Sequence, residues 1–516
     1  MRRWYSLLEI FQFPLKLLLI ALAMISISSI FLNSNVSIFW STSNTTVLLI
    51  ANLMRSIGNF IVVYFPFFVL VKMLSRKGAQ GIQIEVGLIG YFIFLMTTMY
   101  FSVQDLSANA YSSSFGLSLQ TTRIAGLSGN IQYPLQMGLL GALAVGFLSR
   151  FIYQRSRSKA PYGIFAFVDK DSYAVILILC GSFLLGLLFS WLWPLGIRLL
   201  YQAFDFIASD INNPMNLFVY GILDRLLSVF NLGGLIRNSF WFSELGGSWI
   251  DIAGASYSGD VNIWMAQISR SIFPMGYGRF ITPYYILNLF AIPGMLSALY
   301  TLFTDKIERK RIQLFFLVAL VLSLLSGTLL PLEIFLLITA PLLFVAHILI
   351  TGCLFGVCQA MNISLGFSFS GNTMAAMPGN LFDLLFYIRN PSAYSTVMGI
   401  IGVGVVIFVL YFLMTEFYYL VLAVDLFNTG MTKKKVEGFV LAIGGLDNIK
   451  RINSSIFRLT VQVQDPNLIN FEHFRRLGAN KVLEVKAGYA IQFGSGSTII
   501  KNEVNKRIKE NKRKIV

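Results

Sequence analysis

The sequence predicts a polytopic α-helical membrane protein of about ten transmembrane spans with re-entrant segments, followed by a small C-terminal α/β domain. Three observations predict it. Of 516 residues, 56% are hydrophobic and only 12% are charged, against about 25% charged in ordinary soluble domains. Charge-free runs long enough to span a bilayer recur along the chain as far as residue 415. After Lys435 these runs give way to short alternating and amphipathic segments.

The runs suited to spanning are 17–54, 56–71, 86–104, 124–149, 172–197, 280–304, 312–332, 334–382 and 392–415, a span needing about 20 mainly apolar residues. The first is long enough for a span, a polar hairpin at Asn33–Asn35 and Ser43–Thr46, and the start of a second span. Residues 211–235 are apolar but carry Asp224 and Arg225. The second half of 334–382, from 362 to 380, is rich in Gly, Ser and Asn. It is too polar for lipid contact and reads as re-entrant or cavity-lining. The basic N-terminus (Arg2, Arg3) leads into an apolar stretch without a small-residue cleavage site, so it is expected to be the first span.

Net charge is +16, which in a polytopic protein places Lys and Arg in cytoplasmic loops rather than against nucleic acid. The clusters Arg2–Arg3, Arg76–Lys77, Arg150–Lys159, Lys306–Arg311 and Lys433–Lys435 would all face the cytoplasm, and the nearly uncharged stretch 103–133 the outside. Both termini are then cytoplasmic. Cys180, Cys353 and Cys358 lie in apolar runs without zinc spacing, and the two histidines, His347 and His473, rule out a polyhistidine site. No metal and no cofactor are expected.

Division of the chain falls at 1–430 for the membrane domain and 431–516 for the C-terminal domain. In the latter, 455–465 alternates as a strand, 470–477 reads as a helix capped by Asn470, and 482–493 as a hairpin around Ala487–Gly488. From Ser497 a basic helix runs to the end, with its charges solvated or, alternatively, facing anionic membrane lipid.

Several segments carry a family resemblance in order. They are Tyr220–Gly221 with Asp224-Arg225-Leu226-Leu227, then Phe240-Trp241-Phe242, then Gly327-Thr328-Leu329-Leu330-Pro331-Leu332-Glu333-Ile334, then the block from Ala340 through His347 to Gly352. In the last 80 residues come Gly444-Gly445-Leu446-Asp447-Asn448-Ile449, Leu477-Gly478-Ala479 and Gln492-Phe493-Gly494. Together these resemble the glucose-type sugar permeases of the phosphotransferase system (PTS), with fused IIC and IIB domains (EIICB). The resemblance implies a IIC domain that binds a sugar near mid-membrane in the bacterial cytoplasmic membrane, generally as a homodimer. It also implies a IIB domain that phosphorylates the sugar from a phosphocysteine charged by a IIA partner.

Departures from the family pattern shape the expectation further. The family's Cys-Ile-Thr-Arg-Leu-Arg motif aligns with Ser455-Ile456-Phe457-Arg458-Leu459-Thr460, so Ser455 stands at the phosphocysteine position, with Arg458 beside it. A serine lacking an adjacent base is a poor phosphoryl acceptor at neutral pH, and the IIB site is expected to be inactive. The family's Gly-Leu-His-His, whose histidines contribute to the sugar site, aligns with Asn231-Leu232-Gly233-Gly234. Leu330 replaces the first Glu of the Glu-Pro-Ile-Glu motif, and Glu333 matches the second.

Expected substrate-binding positions are Arg225, Gly233, Gly234, Glu333 and His347. Intramembrane charges usually mark functional sites; a structural Arg225–Glu333 salt bridge is the alternative, as is a His347 bonded only to backbone. Trp241, Trp249 and Trp264 could stack on a sugar ring or anchor at the interface, and Asn362, Ser364, Ser368, Asn372 and Asn380 could bond its hydroxyls. Three functions fit: a permease without its own phosphocysteine chemistry, a PTS permease served by an intact IIB or IIA protein, and a non-transporting sensor.

Overall fold

The computed structural model describes residues 2–32, 44–75, 81–103, 105–120, 131–157, 169–270, 272–274, 276–301, 306–366, 378–418, 431–455, 458–477, 479, 482–485, 488–493 and 496–515. The Arg76–Lys77 cluster, the hairpin residues 33–43, Ser368 and Asn372 lie outside them.

Long apolar helices dominate the first four hundred residues. They are α1 (Arg2–Leu32), α2 (Thr45–Val63), α3 (Phe65–Leu74), α4 (Gly81–Phe101), α5 (Gly138–Arg157) and α6 (Lys170–Ser209). Next come α7 (Pro214–Val229), α8 (Gly233–Trp241) and α9 (Asp260–Ser269). A helix with a π turn at Leu287–Ala291, α10 (Thr282–Thr301), follows. The rest are α11 (Lys306–Ser326), α12 (Leu330–Thr339), α13 (Pro341–Ala360), α14 (Leu381–Tyr387) and α15 (Tyr394–Phe417). Among the described residues, seven helices are long and apolar enough to cross a membrane.

Charge-free runs and helices do not coincide everywhere. The run 56–71 is not a span of its own: it straddles the break at Tyr64, and Arg55 sits inside α2. Within run 124–149, residues 131–137 are not helical and α5 begins at Gly138, where a Cβ would stand 2.3 Å from the Phe230 carbonyl oxygen. Its φ of +49° also lies in the left-handed region that glycine adopts at least cost. Run 172–197 extends into the 40-residue α6, which passes through Pro194. At 1.5 Å per residue, that helix is about 60 Å long, twice the hydrocarbon thickness.

The described ends of the polar segment after α13, 362–366 and 378–380, are held by protein. Thr282 Oγ1 accepts from Leu365 N (2.7 Å), Tyr285 OH donates to Gly366 O (2.8 Å), and Asn288 Nδ2 donates to Pro378 O (3.1 Å). Side chains of α10 thereby satisfy backbone that has left the helix, as irregular chain within an apolar fold requires.

Residues 431–516 build a module with its own apolar core. Helix α16 (Met431–Ala442) precedes strands Ile449–Ser455 and Arg458–Val463; α17 (Phe471–Arg476) precedes strands Val482–Val485 and Gly488–Ile491; α18 (Gly496–Ile515) closes the chain. In that sequence order, β1 to β4, the strands form one antiparallel sheet of order β1-β2-β4-β3. Two further two-stranded ribbons occur in the membrane domain, one of them at Ser248–Ile250 and Ser256–Ser258. Val436, Phe439, Leu459, Val461, Phe474 and Val504 form the module's buried centre. Asn470 caps α17, accepting from His473 N at 3.0 Å. The strand expected over 455–465 divides differently: Ser455 ends β1, Arg458 begins β2, and the two residues are antiparallel partners. The 430/431 division falls beside 419–430, outside the described residues.

Helices α7 and α13 cross at a contact that only small residues permit. A Cβ at Gly352 would lie 2.8 Å from Ile222 Cγ1 and 2.9 Å from Phe218 O, and one at Gly221 would lie 3.0 Å from the Gly352 Cα. Close backbone approach through small residues is how helices pack without a hydrophobic driving force. Gly352→Val is therefore expected to destabilise the protein by about 1–3 kcal/mol through overpacking, read as a lowered melting midpoint in detergent; an unchanged midpoint would contradict this crossing.

Candidate functional site

The crossing of α7 and α13 brings charge into the interior. Pro214 at the start of α7, behind the Asn213 cap, begins a 16-residue helix whose buried face includes Asn216, Tyr220, Asp224 and Arg225. Arg225 is a hub. Its Nε donates to Asp224 Oδ2 (2.9 Å), its Nη1 to Glu333 Oε1 (2.8 Å) and its Nη2 to Tyr284 OH (2.9 Å), with a further contact to Asp224. Tyr284, from α10, donates in turn to Asp224 Oδ2 at 2.6 Å. Glu333 lies in the first turn of α12, where Pro331 starts the helix and the dipole favours a carboxylate.

Two more side chains extend the cluster. Arg237 of α8 donates from Nε to Asp224 Oδ1 (2.8 Å) and to Tyr284 OH (3.1 Å), and from Nη2 to Ser228 Oγ (2.6 Å). His347 of α13 sits with Nε2 3.3 Å from Glu333 Oε1 and Nδ1 2.7 Å from Tyr411 OH. The ring thus bridges the two, one nitrogen facing Tyr411 and the other Glu333. Asp224, Arg225, Glu333 and His347 are each at most 1% exposed. Two carboxylates, Asp224 and Glu333, face two guanidinium groups, Arg225 and Arg237. Glu333 Oε2 is buried and has no hydrogen-bond partner among the described residues.

A cavity of about 560 Å³ opens against this cluster, a volume usual for small-ligand sites. One wall is aromatic and apolar, with Tyr64, Phe67, Tyr91, Phe94, Leu95 and Phe115. The other carries Arg225, Ser228, Gly233, Gly234, Arg237, Asn238, Trp241, Tyr284 and Glu333. Phe115 is held by its ring neighbours despite a φ of +63°, and its N–H donates to Tyr64 OH at 3.1 Å.

Four expected positions, Arg225, Gly233, Gly234 and Glu333, meet on this cavity, and Leu330 lines it as well. His347 stands behind Glu333 rather than on the surface, bonded to side chains and not merely to backbone. Ser455 and Arg458 belong to the C-terminal sheet. Of the three tryptophans, only Trp241 lines the cavity. Trp264 is wholly buried and donates to Tyr387 OH at 3.1 Å, while Trp249 packs on its ribbon with Tyr257 and Arg270. Of the polar set after α13, Ser368 and Asn372 lie outside the described residues, and Asn380 and Asn362 have structural roles. Asn380 caps α14 and bonds Asp383, and Asn362 turns the chain out of α13 with φ +54°.

Arg237, Tyr284, Ser228 and Tyr411 were not singled out from sequence. Arg237 alone carried a signal, as a charge in an otherwise uncharged stretch between Arg225 and Glu244. The tyrosines and the serine gave none, because only folding shows which of many point inward.

A family model described as "Phosphotransferase system, EIIC" matches residues 15–352. The "PTS system glucoside-specific EIICBA component" of Staphylococcus carnosus (strain TM300) is 28% identical over 473 residues, 88% of this chain and 66% of the relative. The "PTS system glucose-specific EIICBA component" of Staphylococcus saprophyticus is 26% identical over 475 residues, 88% of this chain and 65% of the relative. The chain thus spans about two thirds of the length of the curated relatives it matches.

Removing Arg225 leaves buried Glu333 without a guanidinium partner, while Asp224 keeps Arg237 and Tyr284, so Arg225→Met is expected to cost about 3–5 kcal/mol of stability. The double variant Arg225→Met/Glu333→Met removes one stranded charge and is expected to melt above the single variant. Melting curves in detergent check this; a double variant less stable than the single would contradict the ion-pair account.

Proposed function

This chain belongs to the phosphotransferase system EIIC family, and from that premise we propose that it is a sugar permease working without phosphocysteine chemistry of its own. The sugar binds in the cavity beside Glu333 and crosses the bacterial cytoplasmic membrane by alternating access. One observation carries the reading. Positions 225, 233 and 234 line one cavity with position 333, 108 residues beyond Arg225, and Glu333 keeps an unused, buried carboxylate oxygen there. Such an oxygen is an acceptor suited to a ligand hydroxyl, and the aromatic lining suits the apolar faces of a sugar ring. The names of the two relatives, for glucose and for glucosides, support a glucose-type ligand.

Loss of coupled phosphorylation is supported by the cysteine inventory. All three cysteines precede residue 359, and 431–516 contains none. Cys180 lies in α6, and Cys353 and Cys358 in α13. Ser455 takes the nucleophile's position at the end of β1, as the antiparallel partner of Arg458. The module nonetheless keeps a packed core, which favours a retained docking role for a IIA or an intact IIB protein. The transporter is proposed to be a homodimer with both termini in the cytoplasm.

Two experiments test this. Vesicles containing the purified protein should accumulate radiolabelled glucose or a close analogue saturably without phosphoenolpyruvate. Glu333→Gln should weaken that uptake, since a hydrogen bond to a charged group contributes about 1.5–3 kcal/mol. Neither uptake nor saturable binding across a panel of hexoses would favour the sensor reading instead. In a phosphotransfer assay with the general components and a IIA protein, no label should enter the chain; label that Ser455→Ala abolishes would restore direct chemistry.

A further inference from the structure

One side chain on the cavity has unused capacity that neither the ion cluster nor the packing explains. Arg237 lies one turn after Gly233 on α8. Its side chain is 28% exposed, whereas that of Arg225 is 2% exposed. Nε and Nη2 are engaged by Asp224, Tyr284 and Ser228, but Nη1 has no hydrogen-bond partner among the described residues. The open side of the guanidinium is the cavity, which it lines. Its plane is steadied by aromatic rings, Cζ standing 5.5 Å from the Tyr284 centroid and 5.8 Å from that of Trp241.

Arg237 also occupies the space that Gly233 leaves. A Cβ at 233 would stand 3.3 Å from Arg237 Cζ and 2.8 Å from Ser228 Oγ. A larger side chain at 233 and the present position of Arg237 exclude each other. Behind the cavity surface Glu333 keeps a buried carboxylate oxygen, Oε2, without a partner among the described residues, so the polar group already open to a polyhydroxylated molecule is the Arg237 donor. The charges of Asp224, Glu333, Arg225 and Arg237 already cancel, which leaves an added anion uncompensated and favours a neutral one.

From this geometry we infer that Arg237 is a specificity-determining residue of the sugar site, donating from Nη1 to one oxygen of a neutral sugar and replacing on α8 the contact that a side chain at 233 would make. The inference rests on the sugar-permease reading above. A histidine placed at 233 alone is then expected not to restore a family-like site, because Arg237 Cζ stands 3.3 Å from where its Cβ would be.

The test is calorimetric titration of the full-length protein with glucose and its monodeoxy analogues, in wild type, Arg237→Lys and Arg237→Gln. Both variants are expected to bind glucose about tenfold or more weakly. For one analogue, lacking the oxygen that Arg237 contacts, the loss should vanish. The lysine variant keeps a charge facing Asp224 and carries the comparison if the glutamine variant does not fold. An equal loss for every analogue would assign Arg237 a purely structural role and overturn the inference, as would unchanged affinity for glucose. Wild-type protein that binds none of the set would instead bring down the sugar reading and this inference with it.

Discussion

Arg225 is a full positive charge at the centre of an apolar bundle, and the arrangement around it follows from neutralising that charge without water. Burying an unpaired ion costs several kcal/mol even after relaxation. Asp224 beside it and Glu333 opposite therefore have to arrive together, from helices over a hundred residues apart in sequence. That requirement sets where α12 begins, because Glu333 meets Arg225 only from the first turn of that helix. It also explains the close crossing of α7 with α13, made through Gly221 and Gly352, which carries His347 to Glu333.

The cluster is balanced but not saturated. Arg225 spends its donors on Asp224, Glu333 and Tyr284, and His347 is fixed between Glu333 and Tyr411. What remains is one carboxylate oxygen on Glu333 and one amino group on Arg237. A rigid charge network with a free acceptor and a free donor at its edge is a preorganised polar surface. The same cavity is lined by the rings of Tyr64, Phe67, Tyr91 and Phe115.

Much of this was legible in the sequence, and the rest was hidden for definite reasons. Arg225 and Glu333 stood out because charges are rare in apolar runs, and both reach the cavity. Asp224 was visible only as an interruption; its role depends on Arg237 and Tyr284, whose inward direction no local pattern encodes. The tryptophans were ambiguous in sequence because burial, ribbon packing and cavity lining use the same residue, and Trp264, Trp249 and Trp241 take one role each. Helix ends were the least legible: the run 56–71 is uncharged yet broken at Tyr64, and α6 runs on past its charge-free stretch through Arg198. In the C-terminal module the Asn470 cap was readable because its signal is local. Strand β1 was not, because Ile449–Ser455 sets its apolar residues three apart, at Ile449 and Ile452, with a register shift between Ile449 and Arg451 in place of alternation.

The central claim is that a sugar sits between the charged wall and the aromatic wall of one cavity, with Glu333 as acceptor. The most direct measurement is an experimental structure of the full chain with a bound hexose. The account predicts the ring inside the cavity, a hydroxyl within hydrogen-bond distance of Glu333 Oε2, and the Asp224–Arg225–Glu333 contacts intact. A hexose bound elsewhere, or bound there only after the Arg225–Glu333 pair has separated, would contradict it.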